Sequence, residues 1–577
     1  MPPRDLILAA VLTAVLFIGW TAQNWLALSH MRLPDNDDMM RIAQVRDWIA
    51  GQDFRDLLQH RLGPPGGASM HWSRLGDVGP AALLVVLTPI LGTHAAEVAA
   101  VIAYQAILFF LYLLLAGRIA ARLYGPEVRA TALILAALAF PTVTLFLPGR
   151  IDHHAIQIVL TLVLVETLVA PPSVRRGVAG GLAVAASLAI GLETAPEIVA
   201  AMAGFGLLWA WGGREENARA CALGTSLAGA TALWYLVAKP AVWPEEWCDG
   251  FTPSTVRATA ILSAAFILLG AAGVRAAGWR NRLVLGGVIG GIAGVLAWRL
   301  SPSCFGGPYG ALTPFLQRYW MSNVTEAKGV FDAIDTVGVR VSYVALSVGG
   351  TALALAHLVR RPFEWKWAAF ALFLVLSTVA AFLQIRVTYV LAGIAVLPFA
   401  GVIVSARAAG RTAVVLAAWA AGAGVLWNAA ARQHDLLFAR EVEAARVEAR
   451  ACTSVATIAD IRRLPPGTVM APIDLGSYII GMTAHRAISA GYHRNNAGNM
   501  ASYMTFLSPP ARAERIVRAS GADYLAICPS NMQEENIQRF RKGSLLEQLQ
   551  DMPRPPAWLE RLPSGSGLLL YRVRPPA

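Results

Sequence analysis

Residues 95–117 read AAEVAAVIAYQAILFFLYLLLAG, a run of 23 positions in which Glu97 carries the only charge. An α-helix needs about 20 apolar residues to cross the hydrocarbon of a bilayer, and this stretch is long enough. Comparable runs lie at 6–28, 128–147, 154–171, 177–192, 196–212, 218–240, 256–275, 282–300, 339–359, 366–384, 387–405 and 411–430, making thirteen in all. The run at 6–28 is too long for the apolar region of a cleaved signal peptide, and no small-residue cleavage site follows it. Composition agrees. Of 577 residues, 56% are hydrophobic and 15% charged, where soluble globular chains carry about 25% charge. Mean hydropathy is +0.52. Disordered chains are polar and charge-rich, so disorder is excluded. A transmembrane barrel alternates over segments of about ten residues, and these runs do not. The fold class is a polytopic α-helical membrane protein with about 13 transmembrane helices.

The net charge of +12 would suggest nucleic acid in a soluble protein. Here the cations sit between apolar runs, where the positive-inside rule places them. One set of short loops carries Arg118, Arg122 and Arg129, then Arg175 and Arg176, Arg214 and Arg219, Arg275, Arg280 and Arg282, Arg360, Arg361 and Lys366, and Arg407 and Arg411. Alternate loops carry mostly acids, including Glu193, Glu197, Glu245, Glu246 and Asp249. The basic set is therefore cytoplasmic, with the N-terminus, and the C-terminal part lies outside. Residues 80–93 (PAALLVVLTPILGT) are apolar but short, and counting them as a span would invert the arginines that follow. They are expected as an interfacial or re-entrant helix after a long first outer loop at 29–79.

From 431 the chain changes character. Charges become frequent and prolines cluster. Short β-like runs occur at 468–472, 523–528 and 567–573, and helical stretches fit 436–463, 510–520 and 531–549. The organisation expected is a membrane domain at 1–430 and a small outer α/β domain at 431–577. Five cysteines include no CxxC pair, which argues against a zinc or iron–sulfur site. Cys248 and Cys304 fall in two outer loops and Cys452 and Cys528 in the tail. An oxidising compartment permits both pairs to bridge, and buried thiols are the alternative.

Ionisable groups beside membrane spans mark function. Four such places share the outer face. Pro34-Asp35-Asn36-Asp37-Asp38 puts three carboxylates within four residues at a span end, although a helix start also favours acids. Gly149-Arg150-Ile151-Asp152-His153-His154 is squeezed between two spans. Carboxylate oxygens suit Mg²⁺ or Mn²⁺, and imidazole leans towards Mn²⁺ or Zn²⁺. The outer loop at 301–338 holds Asn323-Val324-Thr325-Glu326, and the short link before the next span holds Arg386, whose guanidinium is shaped to fork onto phosphate oxygens. The tail adds Gly491-Tyr492-His493-Arg494-Asn495-Asn496, which suits sugar contacts or ties to the membrane unit. His71-Trp72-Ser73-Arg74 suits sugar stacking or a headgroup anchor.

In this order the motifs resemble those of the oligosaccharyltransferase catalytic subunit, a member of the GT-C superfamily of polyprenyl-linked-sugar glycosyltransferases. Asp35, with Arg41 six residues on, is similar to the Asp of that family's first outer loop. Gly149 to His154 resembles its second-loop Asp-x-Asp/Glu motif, with His154 at the second acidic position. Asn323 to Glu326 is similar to the loop motif ending in a metal-linked Glu, Arg386 to the phosphate-binding arginine between late spans, and 80–93 to the helix closing the first loop. The resemblance covers most of the first 430 residues. The tail has no Trp-Trp-Asp-Tyr-Gly motif, the feature that reads an Asn-x-Ser/Thr acceptor. The DNDDMMR, MHWSRL and GYHRN stretches are also similar to ones in bacterial membrane proteins.

The resemblance implies a membrane glycosyltransferase of the bacterial inner membrane, with its C-terminal domain periplasmic. A sugar or glycan would pass from a polyprenyl phosphate or diphosphate to a lipid, polysaccharide or protein acceptor, with no nucleic acid partner. Mg²⁺ or Mn²⁺ would be held by Asp35, Asp152, His154 and Glu326, and the donor phosphate by Arg386. Asp35 or Asp37 would orient or deprotonate the acceptor. His153, Arg41, His71, Trp72, His493 and Arg494 are candidate substrate contacts. Two other readings compete. A transporter or lipid-linked-glycan flippase would carry midplane charges and inverted repeats, and a scaffolding subunit would bind no divalent cation.

Overall fold

A computed structural model of the chain describes residues 2–576 apart from 64, 244–246, 277, 303, 305, 306, 308, 335, 439–451, 529–539 and 552–553. Glu245 and Glu246, and parts of the helical stretches expected at 436–463 and 531–549, lie outside the described residues.

Among the described residues, eight helices are long and apolar enough to cross a membrane: Pro3–Gln23, Thr93–Tyr124, Arg214–Ala238, Pro253–Ala272, Trp279–Leu300, Val337–Arg360, Trp365–Leu383 and Val387–Ala408. The expected run at 411–430 is instead the pair Thr412–Gly422 and Gly424–Leu437, bent by 66°. The runs at 154–171 and 196–212 form helices His154–Val169 and Ala195–Trp211 of 16 and 17 residues. At 1.5 Å per residue these reach only about 24–26 Å, short of the ~30 Å hydrocarbon core. The run at 128–147 is helical only over Arg129–Ala137 and then forms a 3₁₀ turn at Thr142–Phe146. Pro141, between the two, has no N–H to continue a helix. Thirteen apolar runs therefore do not translate into thirteen full-length spans.

Helix His154–Val169 sets the polarity of the bundle. His154 starts it, and twelve residues later Glu166 receives Arg118 at 3.1 Å, Arg122 at 2.8 Å and Arg176 at 2.7 Å. Arginines of two basic loops thus gather at one end of the helix, and the Asp152 turn stands at the other. Val78–Leu91 is a separate helix ahead of Thr93–Tyr124 and packs against it. Gly79 permits the approach, since a Cβ there would lie 2.3 Å from the Tyr104 ring.

The tail forms a five-stranded sheet in the order Arg486–Ala487, Thr468–Met470, Tyr524–Ile527, Leu569–Val573, Leu559–Leu562. The first three strands are parallel and the last two antiparallel. The runs read at 468–472, 523–528 and 567–573 supply three of these strands. Helices Ile473–Met482 and Asn496–Leu507 were not anticipated. The first loop extends this sheet. The Gly63 N–H donates to Ala487 O at 2.9 Å and the Ala487 N–H to Arg61 O at 2.9 Å. Helix Ile473–Met482 packs against Asn36–Ile49. There Arg46 donates to Gly481 O, and Tyr492 Oη donates to Asn36 O at 3.0 Å.

Candidate active site

The site is assembled by helix Asn36–Ile49 and the turn before His154. Asp35 is the N-cap: its Oδ1 accepts from the Asp37 N–H at 3.4 Å, and Asp38 Oδ2 accepts from the Asp35 N–H at 3.1 Å. The helix-start explanation for these acids therefore holds for Asp35 and Asp38, and leaves Asp37 facing a cavity. Gly149, at φ +89°, brings the second loop onto the first. A Cβ there would fall 2.9 Å from Leu28 and 3.1 Å from Pro34, and the backbone conformation itself favours glycine. The Asp152 N–H then reaches Asp38 Oδ1 at 2.9 Å.

Asp152 is buried. Its Oδ1 accepts from the His154 N–H at 3.0 Å, and its Oδ2 lies 3.0 Å from His154 Nδ1. The turn's own arginine bridges the loops: Arg150 donates to Asp35 Oδ2 at 3.1 Å and to Asp152 Oδ2 at 2.8 Å. Burial pushes the Asp152 carboxyl up, but His154 and Arg150 outweigh it and hold the group well below the usual carboxylate range. Asp37 makes no ion pair as close as these, and burial, with Asp35, Asp152 and Glu326 adding to it, outweighs His154 and pushes its carboxyl up to about 7.

The cavity holds about 620 Å³. Asp37, His153, His154, Glu193, Glu326 and Arg386 supply polar lining, and Leu188, Leu192, Ile198, Val199, Ala258 and Leu262 supply apolar lining. Arg386 is held near Tyr309, with Glu326 Oε2 3.9 Å away. Its Nε, buried, has no hydrogen-bond partner among the described residues. His153 spans Arg41 at 3.2 Å and Glu193 at 3.1 Å.

On a further wall, His493 meets Asp249, and the His71 ring lies 5.1 Å from His493, tilted by 48°. Burial and the neighbouring His493 hold the His71 imidazole well below its ordinary value. Burial raises the Asp249 carboxyl, but its bonds to His493 and Arg494 more than reverse this. Gly250, at φ +52°, lets this loop press on His71; a Cβ there would strike the His71 carbonyl. The disulfide Cys248–Cys304 also lines the cavity, and a second disulfide, Cys452–Cys528, lies in the tail.

Asp35, Asp37, Asp152 and His154 are thus brought together, and of these Asp37 and His154 line the cavity with Glu326 and Arg386. Three candidate substrate contacts do not line it. Arg41 is fully buried, tied to Asp77 and stacked on Trp72, and Trp72 donates to Gln44. Arg494 binds Asp249 and the Met70 carbonyl, joining tail to loops. Burial and saturation by framework partners remove these three from the surface a substrate reaches. Glu193, Asp249, Tyr309 and Arg150 were missed as site residues. The first two are visible in the sequence only as loop acids; for Glu193 its position immediately after the 177–192 run was the available signal, and Asp249 had none of that kind.

The expected metal set is not assembled. Among the described residues, no group of three His, Cys, Asp or Glu side chains stands ready to hold an ion. The oxygens of Asp35 and Asp152 that would converge on a cation converge on Arg150 instead.

No family model matches the chain, and no curated protein matches it. Solved structures do. AglB, an archaeal oligosaccharyltransferase from Archaeoglobus fulgidus in complex with an inhibitory peptide and a dolichol-phosphate, superposes with a TM-score of 0.65 at 14% identity, over 91% of this chain and 69% of that one. An Archaeoglobus fulgidus oligosaccharyltransferase in complex with Zn and sulfate gives 0.59 at 13% identity, over 91% and 67%. One tethered with an acceptor peptide containing the NVT sequon gives 0.60 at 14%, over 91% and 68%. With its apolar helices and small C-terminal sheet, the chain has the fold of these archaeal oligosaccharyltransferase structures.

Proposed function

We propose that this chain is a membrane glycosyltransferase that moves a sugar or glycan from a polyprenyl-phosphate or -diphosphate carrier to an acceptor hydroxyl or amide of the cell envelope. The reading places it in the bacterial inner membrane, spanning it many times, with a periplasmic tail that begins near residue 431. The observation that carries it is one cavity with two unlike kinds of lining. Arg386, buried and unpartnered at Nε, shares the lining with carboxylates and imidazoles, and aliphatic side chains supply the rest of it. A phosphate with a long hydrocarbon tail needs that pairing. The dolichol-phosphate complex of AglB shows that this fold accommodates such a molecule in another protein.

In this reading Arg386 grips the phosphate oxygens and stabilises the charge that develops as the bond from the sugar's anomeric carbon to phosphate oxygen breaks. The acceptor heteroatom forms the new bond to that carbon and gives its proton to Asp37, a carboxylate that lines the cavity. His153, positioned by Arg41 and Glu193, and His493, positioned by Asp249, present polar edges to the sugar or acceptor. Of the ligands expected to hold Mg²⁺ or Mn²⁺, Asp35 and Asp152 each give one oxygen to Arg150, and none of these steps is routed through a metal.

The test uses the purified full chain in lipid nanodiscs with radiolabelled polyprenyl-phosphate sugars. Label extracted from an envelope acceptor, and lost with Arg386→Ala, supports the reading. Carrier lipid crossing the bilayer with no glycosidic bond made would instead establish a flippase.

A further inference from the structure

Two loops, joined by a bond spanning 115 residues of sequence, close around a single guanidinium. Arg150 donates to Asp35 Oδ2 at 3.1 Å and to Asp152 Oδ2 at 2.8 Å, and its Nε lies 3.6 Å from Asp38 Oδ2. Its side chain is 14% exposed. The remaining carboxylate oxygens are also engaged. Asp152 Oδ1 holds the His154 N–H, and Asp38 holds the N–H groups of Asp152 and Asp35. A divalent ion would need the same oxygens at about 2.0–2.2 Å. It would have to expel the guanidinium, break two charge-assisted bonds and leave a buried arginine unpaired.

We propose that Arg150 is the resident cation of this site, standing where the carboxylates of the two loops would otherwise share a metal, so that the chain binds no divalent ion there. A guanidinium fixes three carboxylates by direction as well as charge. It clamps the first loop to the second without depending on ion supply. Under the glycosyltransferase reading, on which only this last point rests, Arg150 is a positioning residue that sets Asp37 and His154 at the cavity wall.

The experiment is a Mn²⁺ titration of the EDTA-stripped, purified full chain, followed by the electron paramagnetic resonance signal of the free ion. The wild-type protein is expected to leave the free signal undiminished. Arg150→Met, which keeps length and loses charge, is expected to sequester roughly one Mn²⁺ per chain through the vacated oxygens. Adding Asp152→Asn should abolish that uptake. Stoichiometric binding by wild type that Asp152→Asn removes overturns the proposal, and so does a folded Arg150→Met protein that takes up no ion. If Arg150→Met does not fold, the wild-type titration decides alone. Where transfer from a lipid-linked donor is measurable, EDTA leaves the wild-type rate unchanged. Absence of transfer bears on the enzymatic reading and not on ion occupancy.

Discussion

The main-chain N–H of Asp152 donates to the Asp38 carboxylate at 2.9 Å, so the residue that closes the first loop's capping box also fixes the second loop. Asp38 is fully buried, and both its oxygens accept backbone N–H groups. Replacing it with Ala strands two buried donors, at about 1–3 kcal/mol each. Asp38→Ala is therefore expected to lower stability by about 2–4 kcal/mol, and Asp38→Asn, which keeps an acceptor, by less. Thermal unfolding of the detergent-purified protein, read by intrinsic fluorescence, checks this. Equal midpoints for the three proteins would dissolve the inferred link between the loops.

Arg386 offers a sharper functional contrast. Arg386→Gln is expected to cut glycosyl transfer by about a hundredfold or more. Arg386→Lys should recover only part of that loss, because an ammonium cannot fork onto phosphate. Unfolding midpoints measured alongside separate lost transfer from lost folding, since Arg386 is also tied to Tyr309. Donor titrations in nanodiscs separate the outcomes, and full activity in Arg386→Gln would remove the phosphate assignment.

Asp37→Asn preserves shape and removes the proton acceptor. The expected result is a fall in kcat of roughly 10²–10⁴ with donor KM nearly unchanged. Asp35→Asn, by comparison, should act mainly through the helix cap and the Arg150 contact, lowering the unfolding midpoint. If Asp35→Asn loses turnover at wild-type stability while Asp37→Asn turns over normally, the two roles are reversed.

The two disulfides should behave differently on mutation. Each closes a loop of more than fifty residues, and losing either should cost about 2–4 kcal/mol. Only Cys248–Cys304 lines the cavity. The paired substitution to Ser there is expected to raise the KM for the lipid donor as well, whereas pairing Cys452→Ser with Cys528→Ser should leave KM alone. Identical kinetic effects of the two double variants would contradict this division.

Much of this arrangement was legible in the residues because its signals are local. Apolar runs announce helices, short-loop arginines announce an end of the bundle, and Asp35, Asp152 and Arg386 each sit near the end of a run, whereas Glu326 lies within a long loop. What was not legible depends on distant packing. The 128–147 run looks like a span by composition, yet Pro141 interrupts it. Arg41 and Trp72, candidate substrate contacts by sequence, instead stack on each other in the interior of the first loop. Arg150 was read as part of a metal motif, and only its approach to Asp35, across 115 positions of sequence, shows a cation already in place. Glu193 and Asp249 were visible as charges, but nothing local says that one meets His153 and the other His493.

The pairing of Arg61 and Gly63 with Ala487 constrains how such proteins can be recombined. A tail severed near residue 431 would expose a naked sheet edge, the surface from which aggregation spreads. A chimera that exchanges the tail without the first loop would inherit mismatched partners along that edge. The two segments are separable in sequence but must be swapped as a pair.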